Sequence, residues 1–173
     1  KMIILGGVHG VGKSYFCKIL KQQIRINTYS ASTLIADQKN STLTKNKFTK
    51  NITENQQHLI TAIEAIEQRN TNFLLDAHFC LLDNNGAIVK IPQNIFRQLK
   101  PQAILILTED PQIIAERRKA RDGILLDARE IEMHQKEECT HSLTVANALD
   151  IPHRVYRGKE QYADAITFIE AQR

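Results

Sequence analysis

Gly7-Val8-His9-Gly10-Val11-Gly12-Lys13-Ser14 is the stretch whose residue types and spacing speak most directly of chemistry. It fits the pattern G-x-x-x-x-G-K-[ST] in full. Glycines there let main-chain N–H groups turn inward around phosphate oxygens. A helix opening at Lys13 would add the positive end of its dipole. Lys13 would reach the β- and γ-phosphates of ATP, and the Ser14 hydroxyl would ligate magnesium. The ATP-binding set is then Gly7, His9, Gly10, Val11, Gly12, Lys13, Ser14 and the adjoining Tyr15. His9 and Val11 fill variable slots, and His9 reads as a lid-facing or solvent side chain rather than a catalyst.

Phe73-Leu74-Leu75-Asp76-Ala77-His78 ends an apolar run in a carboxylate. Beside a phosphate loop, a carboxylate at a strand exit holds magnesium through water; standing alone it would be a cap or turn residue. Ser14 and Asp76 are therefore the metal candidates. His78 would orient a phosphate or the carboxylate, or simply mark a polar strand exit. Cations come from Glu116-Arg117-Arg118-Lys119-Ala120-Arg121, where Arg117 and Arg121 lie one turn apart on a shared face. Phosphoryl transfer spreads negative charge over several oxygens that clamping arginines stabilise. A solvated basic helix end complementing the dipole is the plainer alternative. Arg129, beyond the break at Asp122-Gly123, would join from a small lid. Lys13, Asp76, Arg117, Arg121 and Arg129 make up the candidate catalytic set.

The elements that must position these groups alternate between strand and helix. Residues 2–5 read as a buried strand, 13–26 as a helix through Phe16, Ile19, Leu20 and Ile24, and 26–30 as a second strand. A short helix over 31–36 follows. Residues 37–51 are rich in Lys, Asn, Thr and Ser, and read as a mobile loop or poorly packed insertion. Helical periodicity returns over 52–69, and 73–77 is a third buried strand. Asn85-Gly86 within 80–91 signals a hairpin. A short helix over 92–99 precedes a fourth strand over 103–108. Asp110-Pro111 fits an N-cap with proline at the first helical position. Helices end near Arg121 and run over 127–149; a fifth strand over 153–156 and a helix over 160–171 close the chain. Alternation of this kind implies a mostly parallel sheet covered on both faces, with ligands at the carboxyl ends of its strands.

The totals agree. A length of 173 residues suits one compact domain, and 42% hydrophobic residues supply a core. A net charge of +4 suits an anionic partner. Three cysteines, Cys17, Cys80 and Cys139, lack regular spacing, which argues against a disulfide framework and for a reducing compartment, the cytoplasm. Apolar runs are too short to span a bilayer, and the N-terminus lacks a signal-peptide layout.

On these motifs the chain resembles the nucleoside monophosphate kinase family. Gly7 to Ser14 matches its phosphate loop and Arg117-x-x-x-Arg121 its lid-opening arginines. Asp76-Ala77-His78, Leu99-Lys100-Pro101 and AILILTEDP look like the archaeal-type adenylate kinases. The resemblance implies an α/β, three-layer P-loop NTPase fold with a five-stranded parallel sheet. It implies a monophosphate-binding insertion over about 30–69 and a short lid over about 123–129. Acceptor candidates under it are Ser30, Ser32 and Thr33, with His78 nearby and Asn55 and Gln56 as amides able to read a base edge. Several features depart from the family pattern. The lid is a few residues long with one downstream arginine, Arg129, and no four-cysteine zinc site. The insertion carries Lys39, Lys45, Lys47 and Lys50 but no arginine before Arg69.

Other chemistry is set aside. His134, Cys139 and His141 do not face one way on a helix and have no second pair to complete a zinc site. The lysine-rich segment has only Phe48 to stack a base, which points away from nucleic acid. The leading expectation is transfer of the γ-phosphoryl of Mg·ATP to AMP or dAMP. A nucleoside or small-metabolite acceptor, or an ATPase switch with a protein or RNA partner, stays open. The oligomeric state is not legible.

Overall fold

The computed structural model describes residues 1–41, 52–69 and 72–173. Its centre is β1 (Met2–Gly6), buried along its whole length. Parallel strands flank it in the order β2 (Asn27–Ser30), β3 (Phe73–Asp76), β1, β6 (Ala103–Thr108), β7 (His153–Arg157). A parallel sheet covered on both faces needs apolar residues at successive positions, which is why these inner strands read as continuous hydrophobic runs.

The pleat divides the core in two. Ile3, Leu5, Leu74, Leu105 and Leu107 face one cluster with α1 (Lys13–Gln23) and the terminal helix. Met2, Ile4, Phe73, Leu75, Ile104 and Ile106 face the other, with α3 (Ile52–Glu67) and α4 (Gln93–Leu99). These are the three layers expected. The remaining helices are α2 (Ala31–Ser41), α5 (Pro111–Asp122), α6 (Ala128–Leu149) and α7 (Tyr162–Ala171), the last entered through a 3₁₀ turn at Lys159–Gln161. Cys80–Leu82 (β4) and Ile88–Lys90 (β5) form the antiparallel hairpin, its turn held by Asp83 Oδ1 accepting from the N–H groups of Asn85 and Ala87. Asp110 caps α5 through Gln112 N–H, and Asp127 caps α6 through Arg129 N–H.

Several boundaries move by a residue or two from the sequence reading, and two move further. α1 ends at Gln23, because Ile24 turns extended while its N–H still closes on Leu20. α2 follows β2 without a loop and continues through Asp37 to Ser41, where composition suggests a loop. Leu34 and Ile35 pack on the core cluster while Asp37 is exposed, so this helix is apolar on one narrow side only. Lys45, Lys47, Phe48 and Lys50 lie outside the described residues.

Burial pushes all three thiols up, Cys17 and Cys80 to about 12 and Cys139 to about 11; a neighbouring carboxylate adds to each, Asp76 for Cys17 and Glu138 for Cys80 and Cys139. His153, half-buried, meets Ser142 Oγ at 2.8 Å, and that hydroxyl itself donates to Cys139 O. His153 Nε2 therefore donates to it. Burial, then the Arg154 charge, holds its pKa below the ordinary 6.5.

The unfolded chain thus takes up a proton at His153 that the folded chain refuses, so this group's contribution is present above about pH 6.5 and is lost as the pH falls. Urea midpoints should fall between about pH 7 and about pH 5, and His153→Asn should flatten that fall. Parallel curves for the two proteins would contradict it.

Candidate active site

The turn from β1 into α1 is built on glycine. Gly12 caps α1 at φ +106°, and Gly7 stands at φ +143°, where an added Cβ would lie 2.8 Å from Leu107 O. Backbone strain disfavours a side chain at both places, and at Gly7 space excludes one as well. Val8 and Val11 anchor the turn in the core, closed by Val11 N–H on Val8 O. The first-turn N–H groups of α1 are left to face a ligand.

Lys13 is almost buried, at 8% exposure. Its Nζ lies 2.7 Å from Asp76 Oδ1 and donates to Ala77 O at 3.0 Å. His78 Nδ1 stands 3.5 Å away. Burial, then the Lys13 and His134 charges, pushes the His78 pKa down to about 3, against a hydrogen bond to the Gly7 backbone. Its ring is therefore neutral and can accept from Lys13.

α5 supplies the facing wall. Arg117 Nη1 donates to Val11 O at 3.2 Å and Gly10 O at 3.5 Å, with Nη2 3.6 Å from Glu109 Oε2. Arg121 Nη2 stands 2.9 Å from His9 Nε2, and its Nε donates to Asp122 Oδ1 at 3.2 Å. Arg121 and Arg118 hydrogen bonds hold the Asp122 carboxyl below its ordinary range. Partial burial, then the Arg118 and Arg121 charges, lowers the His9 pKa. His9 thus accepts from Arg121 as a neutral ring, and its 3.7 Å approach to Asp122 is not an ion pair.

These groups share one cavity of about 770 Å³, a size suited to a small-molecule ligand. Val8, His9, Gly10, Gly12, Lys13, Ser14 and Tyr15 line it, with Asp76, His78, Arg117 and Arg121; Ser30 and Ser32 line it too. Gly7 and Val11 are not among the lining residues; Gly7 N–H donates to Glu138 and Val11 O accepts from Arg117. Arg129 is exposed in the first turn of α6 and is not among the residues that line the cavity. Gly123 caps α5 in the left-handed region, and three residues, 124–126, separate it from Asp127, the N-cap of α6. Thr33 is exposed on α2, and Asn55 and Gln56 lie on α3; none lines the cavity. Lys159 and Tyr162, which sequence reasoning missed, do line it, with Lys159 Nζ 4.6 Å from the Tyr15 ring centre. Nothing in their local pattern distinguishes them from ordinary surface and core residues.

Among the described residues, no group of three or more His, Cys, Asp or Glu side chains could hold a metal. Ser14 and Asp76 nevertheless offer a hydroxyl and a carboxylate in the same cavity. That hard-oxygen pair fits magnesium, which completes its shell with water and substrate phosphates.

Comparison with known proteins agrees with this geometry. A family model described as "AAA domain" matches residues 6–135. An adenylate kinase of Pyrobaculum aerophilum is 29% identical over 170 residues, spanning 92% of this chain and 86% of that protein. Among solved structures, a protein from Thermus thermophilus superposes with a TM-score of 0.59 at 12% identity, covering 99% of this chain and 96% of that one. A gluconokinase from Sinorhizobium meliloti gives 0.54 at 12% identity, covering 99% and 90%. These two likenesses speak for the fold. Among the described residues no helix is long and apolar enough to cross a membrane. With the motif, the sheet order and the family match in agreement, the chain belongs to the AAA domain family, as a P-loop nucleotide kinase resembling the archaeal-type adenylate kinases.

Proposed function

We propose that this chain moves the γ-phosphoryl group of Mg·ATP to a nucleoside monophosphate, AMP or dAMP first. The observation that carries the reading is one cavity reaching from the phosphate loop to Ser30 and Ser32, lined by Lys13, Asp76, Arg117 and Arg121. The triphosphate lies along the loop's N–H groups. Lys13 leaves Asp76 to meet the terminal phosphates, and Arg121 leaves Asp122 to meet charge growing on the moving group. Ser14 would hold magnesium directly and Asp76 would hold it through water, and the ion would supply positive charge to offset that of the phosphates. No protein nucleophile is needed, since positioning and charge stabilisation carry such reactions. The α2–α3 insertion covers the acceptor, and the segment around residues 123–129 acts as the lid; closure excludes water. The archaeal-type likeness favours adenylate as acceptor.

A nucleoside or other small metabolite is the second reading. The acceptor end of the cavity presents Ser30 and Ser32 hydroxyls, and the chain carries no arginine between Arg25 and Arg69 to grip an acceptor phosphate. A panel of monophosphates, nucleosides and sugars with labelled ATP decides: transfer to free nucleosides alone rejects the first reading. A bisubstrate analogue of two adenosines joined by five phosphates should bind tightly if both nucleotide sites exist.

Lys13→Ala should cut kcat/KM by roughly 100-fold or more, the scale for losing one preorganised donor to developing charge. Steady-state kinetics checks it, with circular dichroism to confirm the fold; full turnover in that variant would count against the site. Arg121→Ala should lower kcat by roughly 100-fold while leaving the melting temperature near wild type, because its side chain is 58% exposed. An unchanged kcat would remove Arg121 from the clamp.

A further inference from the structure

Glu138 has no exposed surface. It sits on the inward stripe of α6, between Ile131 and Val145, which are also buried. A carboxylate in such a place is costly unless hydrogen bonds replace its water. Three main-chain N–H groups do so. Oε1 accepts from Gly7 at 3.2 Å and from Phe79 at 2.9 Å, and Oε2 accepts from Cys80 at 2.8 Å. No lysine, arginine or histidine among the described residues forms an ion pair with it.

The three amides belong to the two segments that build the site. Gly7 opens the phosphate loop; Phe79 and Cys80 follow directly on Asp76-Ala77-His78. The ladder between β1 and β3 ends where Leu5 pairs with Asp76 and Ala77 N–H closes on Leu5 O. Beyond that point the two chains part, and the Glu138 carboxylate joins them. Gln135, one turn earlier on α6, makes a matching clamp on the end of β6: its Nε2 donates to Glu109 O at 2.8 Å and its Oε1 accepts from Glu109 N–H at 3.0 Å. Glu109 in turn faces Arg117. α6 therefore grips the exits of three neighbouring strands, and it does so as the helix that immediately follows the short segment after α5.

We propose that Glu138 is a positioning residue for phosphoryl transfer: by bonding Gly7, Phe79 and Cys80 at once, it fixes the phosphate loop relative to Asp76. This rests on the kinase reading. A carboxylate suits the task because both oxygens accept. A glutamine can keep some of the bonds only by turning its NH₂ toward at least one of the other N–H groups.

The test compares wild type, Glu138→Gln, Glu138→Asp and, as a buried control on the same helix, Ser142→Ala. Each is assayed for kcat, acceptor KM, Mg·ATP affinity by calorimetry, and melting temperature. Glu138→Gln should lower kcat roughly 10- to 100-fold, the scale of a small misplacement of reacting groups, and weaken Mg·ATP binding, with acceptor KM held within about twofold. Glu138→Asp, which keeps the charge but withdraws it by one methylene, should fall between. Ser142→Ala should lose stability alone, keeping wild-type kcat and affinity. Wild-type kcat and Mg·ATP affinity in Glu138→Gln, whatever its melting temperature, overturn the proposal. If that variant does not fold, Glu138→Asp carries the same criterion. In the wild type, the amides of Gly7, Phe79 and Cys80 should resist hydrogen exchange as strongly as those of β1, and rapid exchange there also overturns it. Should the wild type phosphorylate no acceptor, the kinase reading fails, while the Mg·ATP affinities still decide the role of Glu138.

Discussion

The alignment of β1 with its parallel neighbours sets the place of every charged group in the site. Leu5 pairs with Asp76, Asp76 with Ser30, and Gly6 with Ile106, so three strands end at one level and the loops beyond them open into a common space. A one-residue slip would turn each inward apolar side chain to the opposite face, where the other core cluster is already packed. The register is therefore held by both layers of the core. The chemistry inherits that rigidity: Lys13 can meet Asp76 because the strand bearing Asp76 cannot slide.

The cations of the cavity already have partners. Lys13 is on Asp76 and Ala77 O, Arg117 on the phosphate-loop carbonyls and near Glu109, and Arg121 on Asp122 and His9. In a partly dry site an unpaired charge is expensive. A polyphosphate entering such a site exchanges partners rather than filling an uncompensated positive hole. His78 fits the same logic. Lowered to a pKa of about 3, it offers a lone pair beside Lys13 without adding a second positive charge.

Much of this arrangement is legible in the residues themselves. The inner strands announce themselves by unbroken apolar runs, the phosphate loop by its glycines, and the α5 entry by Asp110-Pro111. What fails to show follows from physical causes. α2 continues through Asp37 to Ser41 because a narrow contact at Leu34 and Ile35 holds a helix whose other side is wet, and composition over 37–51 carries the signature of the wet side. Arg129 stands outside the cavity lining, a position that spacing alone does not reveal, because it says nothing of the direction taken after the left-handed cap at Gly123. Glu138 carries a faint signal, an acid on the stripe shared by Ile131 and Val145. Its meaning depends on three amides far away in sequence, which no local pattern reveals.

The three thiols have a practical consequence. Maleimide and similar reagents attack the thiolate, and at neutral pH almost none of Cys17, Cys80 or Cys139 is in that form. The native protein is thus a quiet background for site-directed dyes. With Asp37→Cys on α2 and Glu116→Cys on α5, both at exposed positions, fluorescence energy transfer between a donor and an acceptor fluorophore would follow the distance between the two arms in real time, with no need to strip the natural cysteines first.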